Sequence, residues 1–216
     1  MTEDSTGPES GSQHLAPVIF GSTRGVRLER ADAARNRQRV LEAARDLIRA
    51  RGVEAVTMDD VAGAAGVGKG TLYRRFGDKA GLAAALLDRR EADLQEQILT
   101  GPAPLGPGAG QGQRLGAFLH AYLDLVDTDL GLLVMAEKGT GRLHSGAYAF
   151  WRAHVTSLLR TGGAAIDPEL GADLLLAGVA AELYDHLHHG RGRSHADIVA
   201  AVEALAAALL PPTEGA

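Results

Sequence analysis

The chain has 216 residues, of which 45% are hydrophobic and only 4% aromatic, and its formal net charge is −5 at pH 7. It contains no cysteine, which excludes disulfides, thiolate zinc sites and thiol-based redox sensing. No apolar run approaches the roughly 20 residues that cross a bilayer, and the N-terminus lacks a signal pattern, so we expect a cytoplasmic protein with no membrane partner.

The composition favours helices throughout, because alanine and leucine are the dominant apolar residues. The acidic net charge is unevenly distributed, since basic residues outnumber acidic ones between Arg35 and Lys79. A basic segment on an acidic body indicates that contact with nucleic acid is confined to one end. We therefore expect an all-α protein with a small DNA-binding module followed by a larger helical domain.

Residues 1–33 are rich in Ser, Gly, Thr and Glu and show little periodicity, which predicts a disordered tail. Arg24, Arg27 and Arg30 suit either a basic arm that reaches the DNA minor groove or a solvated tail. We favour the solvated tail, since basic tails commonly have no partner.

The first helix is predicted from Arg35 to Arg51, because Val40, Ala44 and Ile48 recur at helical spacing along it. Gly52 ends this helix. Together with the two short helices that follow, it completes a three-helix module at residues 34–79.

Two short helices joined by a tight turn are predicted between Thr57 and Phe76. Thr57 and Asp60 have the spacing of a capping box, with Asp in place of the usual Glu or Gln. Gly66 ends the first short helix, because glycine adopts the left-handed conformation without strain. The second segment directs Leu72 and Phe76 inward and its basic and hydroxyl side chains outward. This pattern is typical of a helix-turn-helix whose second helix enters the major groove.

A phosphate-binding loop is the competing interpretation of this stretch. Gly63, Gly68 and Lys69 fit the GxxxxGK frame, but position 70 is glycine where that loop needs a Ser or Thr hydroxyl to bind magnesium. The frame also requires a preceding strand, whereas a capped, alanine-rich helix is predicted here. We therefore disfavour nucleotide binding.

Residues 80–216 are predicted to form the larger helical domain. A linking helix runs from Lys79 to about Thr100, and the proline-rich segment Gly101–Gly110 ends it. Further helices are predicted at Leu115–Val126, at Leu130–Glu137, at Tyr148–Leu159, from Pro168 to Gly190, and after Ser194 with a stripe of Ile198, Val202, Leu205 and Leu209.

The run TMDDVAGAAGVGKGTLYRRFGDKAGL resembles the N-terminal helix-turn-helix of TetR-family transcriptional regulators. The likeness includes the preceding GVEAVT, the AGV turn, the Thr-Leu-Tyr triplet, Phe76 and Lys79. The remainder of the chain is similar only in being helical and of suitable length. One departure is Gly68, where the family often has a serine that caps the recognition helix, so we expect that helix to be more mobile before DNA binds.

The resemblance implies a role for each matching residue. Lys69 would donate to guanine edges, and Thr71, Tyr73 and Arg75 would bind phosphates or sugars. Lys79 and Thr57 would each meet a phosphate beside free helix amides. The predicted DNA-contacting residues are Thr57, Lys69, Gly70, Thr71, Tyr73, Arg74, Arg75 and Lys79.

The larger domain is predicted to dimerise and, by resemblance, to bind a small, partly apolar effector. A homodimer would place two recognition helices on successive major grooves of a palindromic operator in double-stranded DNA. The last two helices are the predicted interface, through the small residues Ala177, Ala180, Ala181, Ala201, Ala204 and Ala208; packing inside the monomer is the alternative. The predicted pocket residues, each equally suited to core packing, are Phe118, Tyr122, Met135, Phe150, Trp151 and His154.

The function that these features predict is repression relieved by the effector, with an architectural DNA-binding protein as the main alternative. No nucleophile elbow, paired-carboxylate frame or HExxH motif is present, so we predict no enzyme activity and no cofactor.

The histidines near the C-terminus invite a metal-binding interpretation. His186 and His189 are spaced to share a helix face with Glu182, and His188 and His195 lie nearby. Protonatable side chains are also favoured at a helix C-terminus, and no cysteine or clear fourth ligand supports a metal. We therefore predict no metal site, with Asp185 paired to His189 instead.

Overall fold

The computed structural model describes residues 23–137, 143 and 145–210, with the backbone alone for residues 23–31. Within these ranges the chain is helical and contains no strand, which confirms the predicted all-α class. The helices are α1 Thr23–Arg51, α2 Met58–Ala65, α3 Lys69–Phe76, α4 Lys79–Thr100, α5 Gln111–Ala136, α6 Gly146–Thr161, α7 Pro168–Gly178, α8 Ala181–Asp185 and α9 His195–Leu209. Compact packing separates the chain into two units, Met1–Arg37 and Gln38–Ala216.

Helix α1 begins well before the predicted start at Arg35. Residues 23–33 are therefore helical, and the prediction of a disordered tail was wrong for them; the rest of the predicted tail lies outside the described residues. Arg, Leu, Glu and Ala predominate in this stretch, and such residues lose little side-chain freedom in a helix. Arg24, Arg27 and Arg30 accordingly lie on a helix and not in an extended arm.

The two short helices form as predicted. The Thr57 hydroxyl accepts a hydrogen bond from the Asp60 amide at 3.1 Å, and the Asp60 carboxylate accepts one from the Thr57 amide at 2.9 Å, which completes the capping box. Gly66 ends α2 at φ 64° and ψ 36°. Because the turn is closed by these local bonds, the direction of α3 relative to α2 is determined.

Two hydrophobic cores are present in the unit that begins at Gln38, and α4 contributes to both. The first core holds α2 and α3 against α1, with Val61 and Leu72 at its centre. Leu82 and Leu86 of α4 belong to this first core, whereas Ile98 at the other end of α4 belongs to the second. The linking helix is thus packed into the DNA-binding module and the body along one continuous length.

The predicted helices Leu115–Val126 and Leu130–Glu137 are a single helix, α5, with a kink at Asp129, where φ is −119° and ψ is 26°. Asp129 lies between the two predicted helices, so the predicted break is present as a kink and not as a loop. The Asp129 carboxylate instead pairs with Arg90 of α4, with 3.0 Å between Oδ2 and Nε. An ion pair to the linking helix therefore lies at the kink.

The single helix predicted from Pro168 to Gly190 is broken. Ala180 is extended, with φ −61° and ψ 142°, α8 starts after it, and a π-helical turn follows at His186–Gly190. The freed amide of Ala181 donates to the Glu137 carboxylate at 3.2 Å. Sequence periodicity missed this break because its stabilising partner lies on a distant helix.

Helix α9 begins at the predicted cap, where Ser194 and Asp197 form a second capping box. Ile198 and Val202 are buried, but Leu205, which we placed on the same stripe, is 61% exposed. Val199 and Ala206 are buried as well, so the buried face of α9 is rotated away from Leu205.

Candidate nucleic-acid interface

Helix α3 carries an apolar anchor on one face and a solvent-exposed polar face on the other. Leu72 is 1% exposed and Phe76 is half-buried against the first core. Every other side chain between Lys69 and Arg75 is exposed, including Tyr73 at 46%. A helix that is fixed by its inner face and presents hydroxyl, phenol and basic groups outward has the form of a recognition helix.

The N-terminus of α3 lacks a side-chain cap, as the glycine at position 68 predicts. Its first residue, Lys69, forms an ion pair with Asp59 of α2. The hydrogen bond to Asp59 and the charge of that carboxylate raise the pKa of the Lys69 ammonium above its usual value. The predicted contact between Lys69 and a base would therefore compete with this ion pair.

Thr57 and Lys79, the two predicted phosphate contacts outside α3, already have partners in the protein. The Thr57 hydroxyl donates to the Asp60 carboxylate at 2.6 Å, and this hydrogen bond holds the pKa of Asp60 below its ordinary value. The half-buried Lys79 ammonium donates to the Glu54 carbonyl at 3.1 Å. Both residues thus stabilise the module itself, and their contact with phosphate remains a prediction.

Gly81 sets how closely α4 approaches the end of the recognition helix. A Cβ atom at this position would lie 1.9 Å from the Phe76 carbonyl oxygen, so no other residue fits without movement of the backbone. The Gly81 amide also donates to the Asp78 carboxylate, which caps α4, at 2.9 Å. The turn between α3 and α4 consequently depends on a glycine that is not in a left-handed conformation.

We expect Gly81→Ala to lower the free energy of unfolding by about 1–3 kcal/mol, since overpacking displaces the backbone. DNA affinity should fall as well, because the displaced backbone is that of Phe76, the last residue of α3. Gly63→Ala is the matched control: a Cβ there meets nothing within 4 Å. Alanine in a helix interior is favoured by about 0.5–1 kcal/mol over glycine, so the control should not destabilise. Urea unfolding of both variants tests this, and equal stabilities would contradict it.

Five of the six predicted pocket residues form one aromatic cluster in the second core. The ring centroids of Phe118 and Trp151 are 5.8 Å apart, those of Tyr122 and Trp151 6.0 Å, and those of Phe150 and Trp151 5.3 Å. His154 meets Phe118 edge-on at 5.4 Å.

Met135 lies elsewhere. It lines a small internal cavity beside Met58 and Val61 of the DNA-binding module. The six predicted residues therefore divide between the aromatic cluster and the boundary with the module.

His154 brings an imidazole ring into the aromatic cluster. Its Nε2 atom is buried and has no hydrogen-bond partner among the described residues. Burial, together with the positive charge of Arg114, lowers the pKa of His154 to about 4. At neutral pH the ring is uncharged, and its Nε2 atom is available for a hydrogen bond to a ligand.

Glu91 on α4 is a second perturbed group. Burial raises the pKa of Glu91 to about 7, and the carboxylates of Asp88 and Glu137 add to this effect. The folded-state pKa exceeds the unfolded one, so the stability linked to Glu91 is present below pH 4.5 and is lost as the pH rises to about 7.

We expect Glu91→Gln to become more stable than the wild type between pH 4.5 and pH 8, by on the order of 2 kcal/mol at the upper end. The amide mimics the protonated carboxyl and never acquires the charge. His154 acts in the opposite direction in both proteins, because its lowered pKa removes stability as the pH falls, so the difference between variant and wild type isolates Glu91. Denaturant unfolding at pH 4.5 and pH 8 measures the free energy of unfolding of both proteins. A difference between them that is the same at the two pH values would contradict the prediction.

The histidines near the C-terminus hydrogen-bond to protein groups. His189 pairs with Asp185 at 2.8 Å, as predicted, and His188 bonds the Arg193 carbonyl at 2.8 Å. His195 lies between the Asp124 carboxylate, 3.0 Å from Nε2, and the Tyr184 hydroxyl, 2.9 Å from Nδ1. Among the described residues no group of three potential ligands is arranged to hold a metal ion.

Several residues of the interface and its support carried no sequence signal that we recognised. Asp59 faces Lys69 across the turn, ten positions apart, and no helical spacing rule connects them. Leu132 packs against both hydrophobic cores, which lie on helices distant from it in sequence. For Gly81, a glycine in the first turn of a capped helix was a usable signal.

An exposed recognition helix in a compact helix-turn-helix, joined by a long helix to an all-α body, defines a helix-turn-helix DNA-binding protein. The model of the family described as bacterial regulatory proteins, tetR family, matches residues 40–86. An HTH-type transcriptional regulator of Staphylococcus aureus (strain USA300) is 45% identical over 60 residues, which are 28% of this chain and 32% of that protein. The chain thus spans about a third of the length of the curated relatives it matches.

Solved structures extend the likeness to most of the chain. A TetR-family transcriptional regulator from Pectobacterium atrosepticum is 26% identical, with a TM-score of 0.61, over 84% of this chain and 97% of that one. The SmeT–triclosan complex is 15% identical, with a TM-score of 0.53, over 80% of this chain and 90% of that one, which shows a shared fold. Residues 40–86 therefore match the model of the family described as bacterial regulatory proteins, tetR family, and most of the chain is similar to a solved TetR-family regulator.

No described helix is both long enough and apolar enough to cross a membrane.

Proposed function

We propose that this protein is a sequence-specific transcriptional regulator that binds a palindromic operator as a homodimer and leaves it when a small, partly apolar effector binds. The observation that carries the proposal is the exposed polar face of α3 within the segment that matches the TetR family. The module corresponds to residues 34–79 and the effector and dimerisation domain to residues 80–216. A regulator of this kind acts on chromosomal DNA in the cytoplasm.

On DNA, the first residue of α3 would read the sequence. Lys69 lies at the end of α3 that enters the groove, where a lysine can donate to guanine O6 and N7. Thr71, Tyr73 and Arg75 would bind the phosphates or sugars that flank that base. Phosphate contacts position the protein and make its affinity depend on salt, whereas the lysine contact discriminates between sequences.

Dimerisation is supported by exposed apolar side chains on α7 and α9. Leu170 and Leu174 of α7 are 59% and 63% exposed, and Leu205 of α9 is 61% exposed. The predicted interface alanines Ala177, Ala201, Ala204 and Ala208 are exposed as well. Small and leucine side chains at this spacing suit close packing of two helix pairs.

The predicted interface needs one correction. Ala181 is fully buried in the second core, so it packs inside the monomer, and Ala180 is half-buried at the break before α8.

The aromatic cluster is the site that we propose for the effector. It combines the apolar surfaces of Phe118 and Trp151 with the unsatisfied Nε2 atom of His154, and so suits a partly apolar molecule with one hydrogen-bonding group. SmeT, a protein of similar fold, is known in complex with triclosan. The cluster would have to open to admit the molecule, since its rings contact one another.

The kinked end of α5 provides a route from this cluster to the DNA-binding module. The Tyr122 hydroxyl donates to the Glu137 carboxylate at 3.3 Å, so the cluster is bonded to the end of α5. Earlier in the same segment, a Cβ at Gly131 would lie 3.4 Å from the side chain of Val53, two residues after the end of α1. An effector that moved Tyr122 would shift this segment against the module and so change the spacing of the two recognition helices.

A footprint of the purified chain on its own upstream DNA tests the proposal. We expect protection of two half-sites about 34 Å apart, the distance between successive major grooves. Candidate effectors that bind the protein should then weaken that protection. If a bound ligand weakens protection of both half-sites equally, the result supports repression relieved by a ligand. If no bound ligand alters the footprint, the result supports the architectural alternative.

An enzymatic role is the remaining class to consider. The family of the N-terminal domain consists of transcriptional regulators, and the grouped polar side chains at α3 suit DNA better than a substrate pocket. We therefore propose that the protein is not an enzyme.

A further inference from the structure

A second ligand site is indicated by an open groove of about 930 Å³ that contains none of the aromatic cluster. Its floor is the first half of α5, one wall is α9, and the other wall is the loop that joins α4 to α5. We propose that this groove binds an elongated apolar molecule that carries a protonated amine. The inference goes beyond the proposed function, because it concerns a different part of the body and needs no DNA.

The floor and walls of the groove are apolar and built from small residues. On α5 the floor follows Gly112 and Gly116 to His120 and Asp124, one residue per helical turn. These four positions extend over about 18 Å at the rise of an α-helix. A Cβ at Gly116 would meet nothing within 4 Å, so the space above it is empty. A long, narrow apolar body fits this shape better than a compact polar one.

Acidic groups are confined to one end of the groove. Asp124 and Glu203 line it there, and neither Lys nor Arg is among its lining residues. Glu203 lies 2.9 Å from His120 Nδ1, and Asp124 lies 3.9 Å from His120 Nε2 and 3.0 Å from His195 Nε2, so among the described residues both carboxylates have only histidine partners. An ammonium group beside these two carboxylates, on the groove side of the His120 ring, would form charge-assisted hydrogen bonds, which are strong.

The groove remains accessible when the proposed dimer forms. The residues of α9 that line it are Glu203, Ala206, Ala207 and Leu210. The proposed dimer interface on α9 has the same helical spacing, but each of its positions is two residues away from a groove residue. These interface residues include Ala201, Ala204, Leu205 and Ala208. A displacement of two residues on an α-helix turns a side chain by about 200°, so the two stripes lie on different flanks.

Dodecylamine, protonated at pH 7, is the probe, and dodecanoate of equal chain length is its matched control. We expect isothermal titration of the full chain to show 1:1 binding of the amine and at least about tenfold weaker binding of the carboxylate. Gly116→Leu places a side chain in the groove at a position where a Cβ meets nothing within 4 Å, and should abolish binding of the amine while leaving the folded state intact by circular dichroism. Glu203→Gln should reduce the preference for the amine, whereas Glu96→Gln, an exposed acid outside the groove, should not.

Three results would overturn the proposal. Equal affinity for the two probes would show that the acidic end plays no part in recognition. Unchanged binding to Gly116→Leu would place the amine elsewhere on the protein. A change in oligomeric state with Gly116→Leu, without any binding of the amine, would identify the groove as a contact between two copies of the chain. None of these measurements involves DNA, so their failure leaves the proposed regulatory function untouched.

Discussion

Replacing Lys69 and Tyr73 together by alanine is expected to weaken binding to the specific operator by about a hundredfold or more, while the protein stays folded. Loss of one good base contact costs about 1–3 kcal/mol, and loss of a phosphate contact adds to it. Both side chains are exposed, so neither contributes to the core. Fluorescence anisotropy on specific and unrelated duplexes, over a range of salt concentrations, measures the effect.

The specificity ratio decides the interpretation of this experiment. Lys69→Ala alone should bring specific binding closer to nonspecific binding, whereas Tyr73→Ala should weaken both. Arg89→Ala, on α4, removes one exposed positive charge outside the module and is the control for net charge. If the double variant keeps the same salt-dependent attachment to every duplex as the wild type, α3 is not the element that reads DNA.

Asp59→Asn provides a test in the opposite direction. It removes the carboxylate that pairs with Lys69 in the free protein, and it also removes a negative charge close to the DNA. We expect operator affinity to rise several-fold, with a clearly smaller gain in the background of Lys69→Ala. Equal gains in both backgrounds would mean that Asp59 acts only through general repulsion of DNA.

Replacing Trp151 by alanine is expected to lower the free energy of unfolding by about 3–5 kcal/mol, because a large side chain leaves a cavity in a packed core. Trp151 is 2% exposed and touches Phe118, Tyr122 and Phe150. Urea unfolding followed by circular dichroism measures the loss of stability. Tryptophan fluorescence cannot be used, because Trp151 is the single tryptophan of the chain.

Trp151→Phe is the matched control for this change. It retains an aromatic ring and most of the volume, so it should cost clearly less stability than alanine. If the aromatic cluster is the effector site, this conservative variant should keep DNA affinity and lose sensitivity to the effector. A variant with full sensitivity to every effector that binds the protein would remove the cluster from the proposed mechanism.

Local signals accounted for the DNA-binding module. The capping box at Thr57, the left-handed Gly66 and the inward Leu72 are each determined by residues a few positions apart, and all three occur as predicted. The caps at Asp78 and Ser194 follow the same rule. Hydrogen bonds within one or two turns depend on the order of the residues, so they can be derived before the fold is known.

Contacts between distant helices were not predictable in this way. The break before α8 depends on Glu137, which lies 44 positions from Ala181, and the kink of α5 adjoins an ion pair with Arg90. The predicted pocket residues separated for the same reason: Met135 follows the kinked end of α5 towards the module, while Trp151 stays in the aromatic cluster.

By itself the sequence determined that the protein is helical, that two short helices meet at a turn at Gly66, and which side chains of α3 point outward. Only the tertiary structure decided that Asp59 forms an ion pair with Lys69, that Gly81 must lack a side chain, and that α5 and α9 leave a groove with an acidic end. Helix formation and capping depend on neighbours along the chain, whereas these three features depend on which surfaces meet when the helices pack.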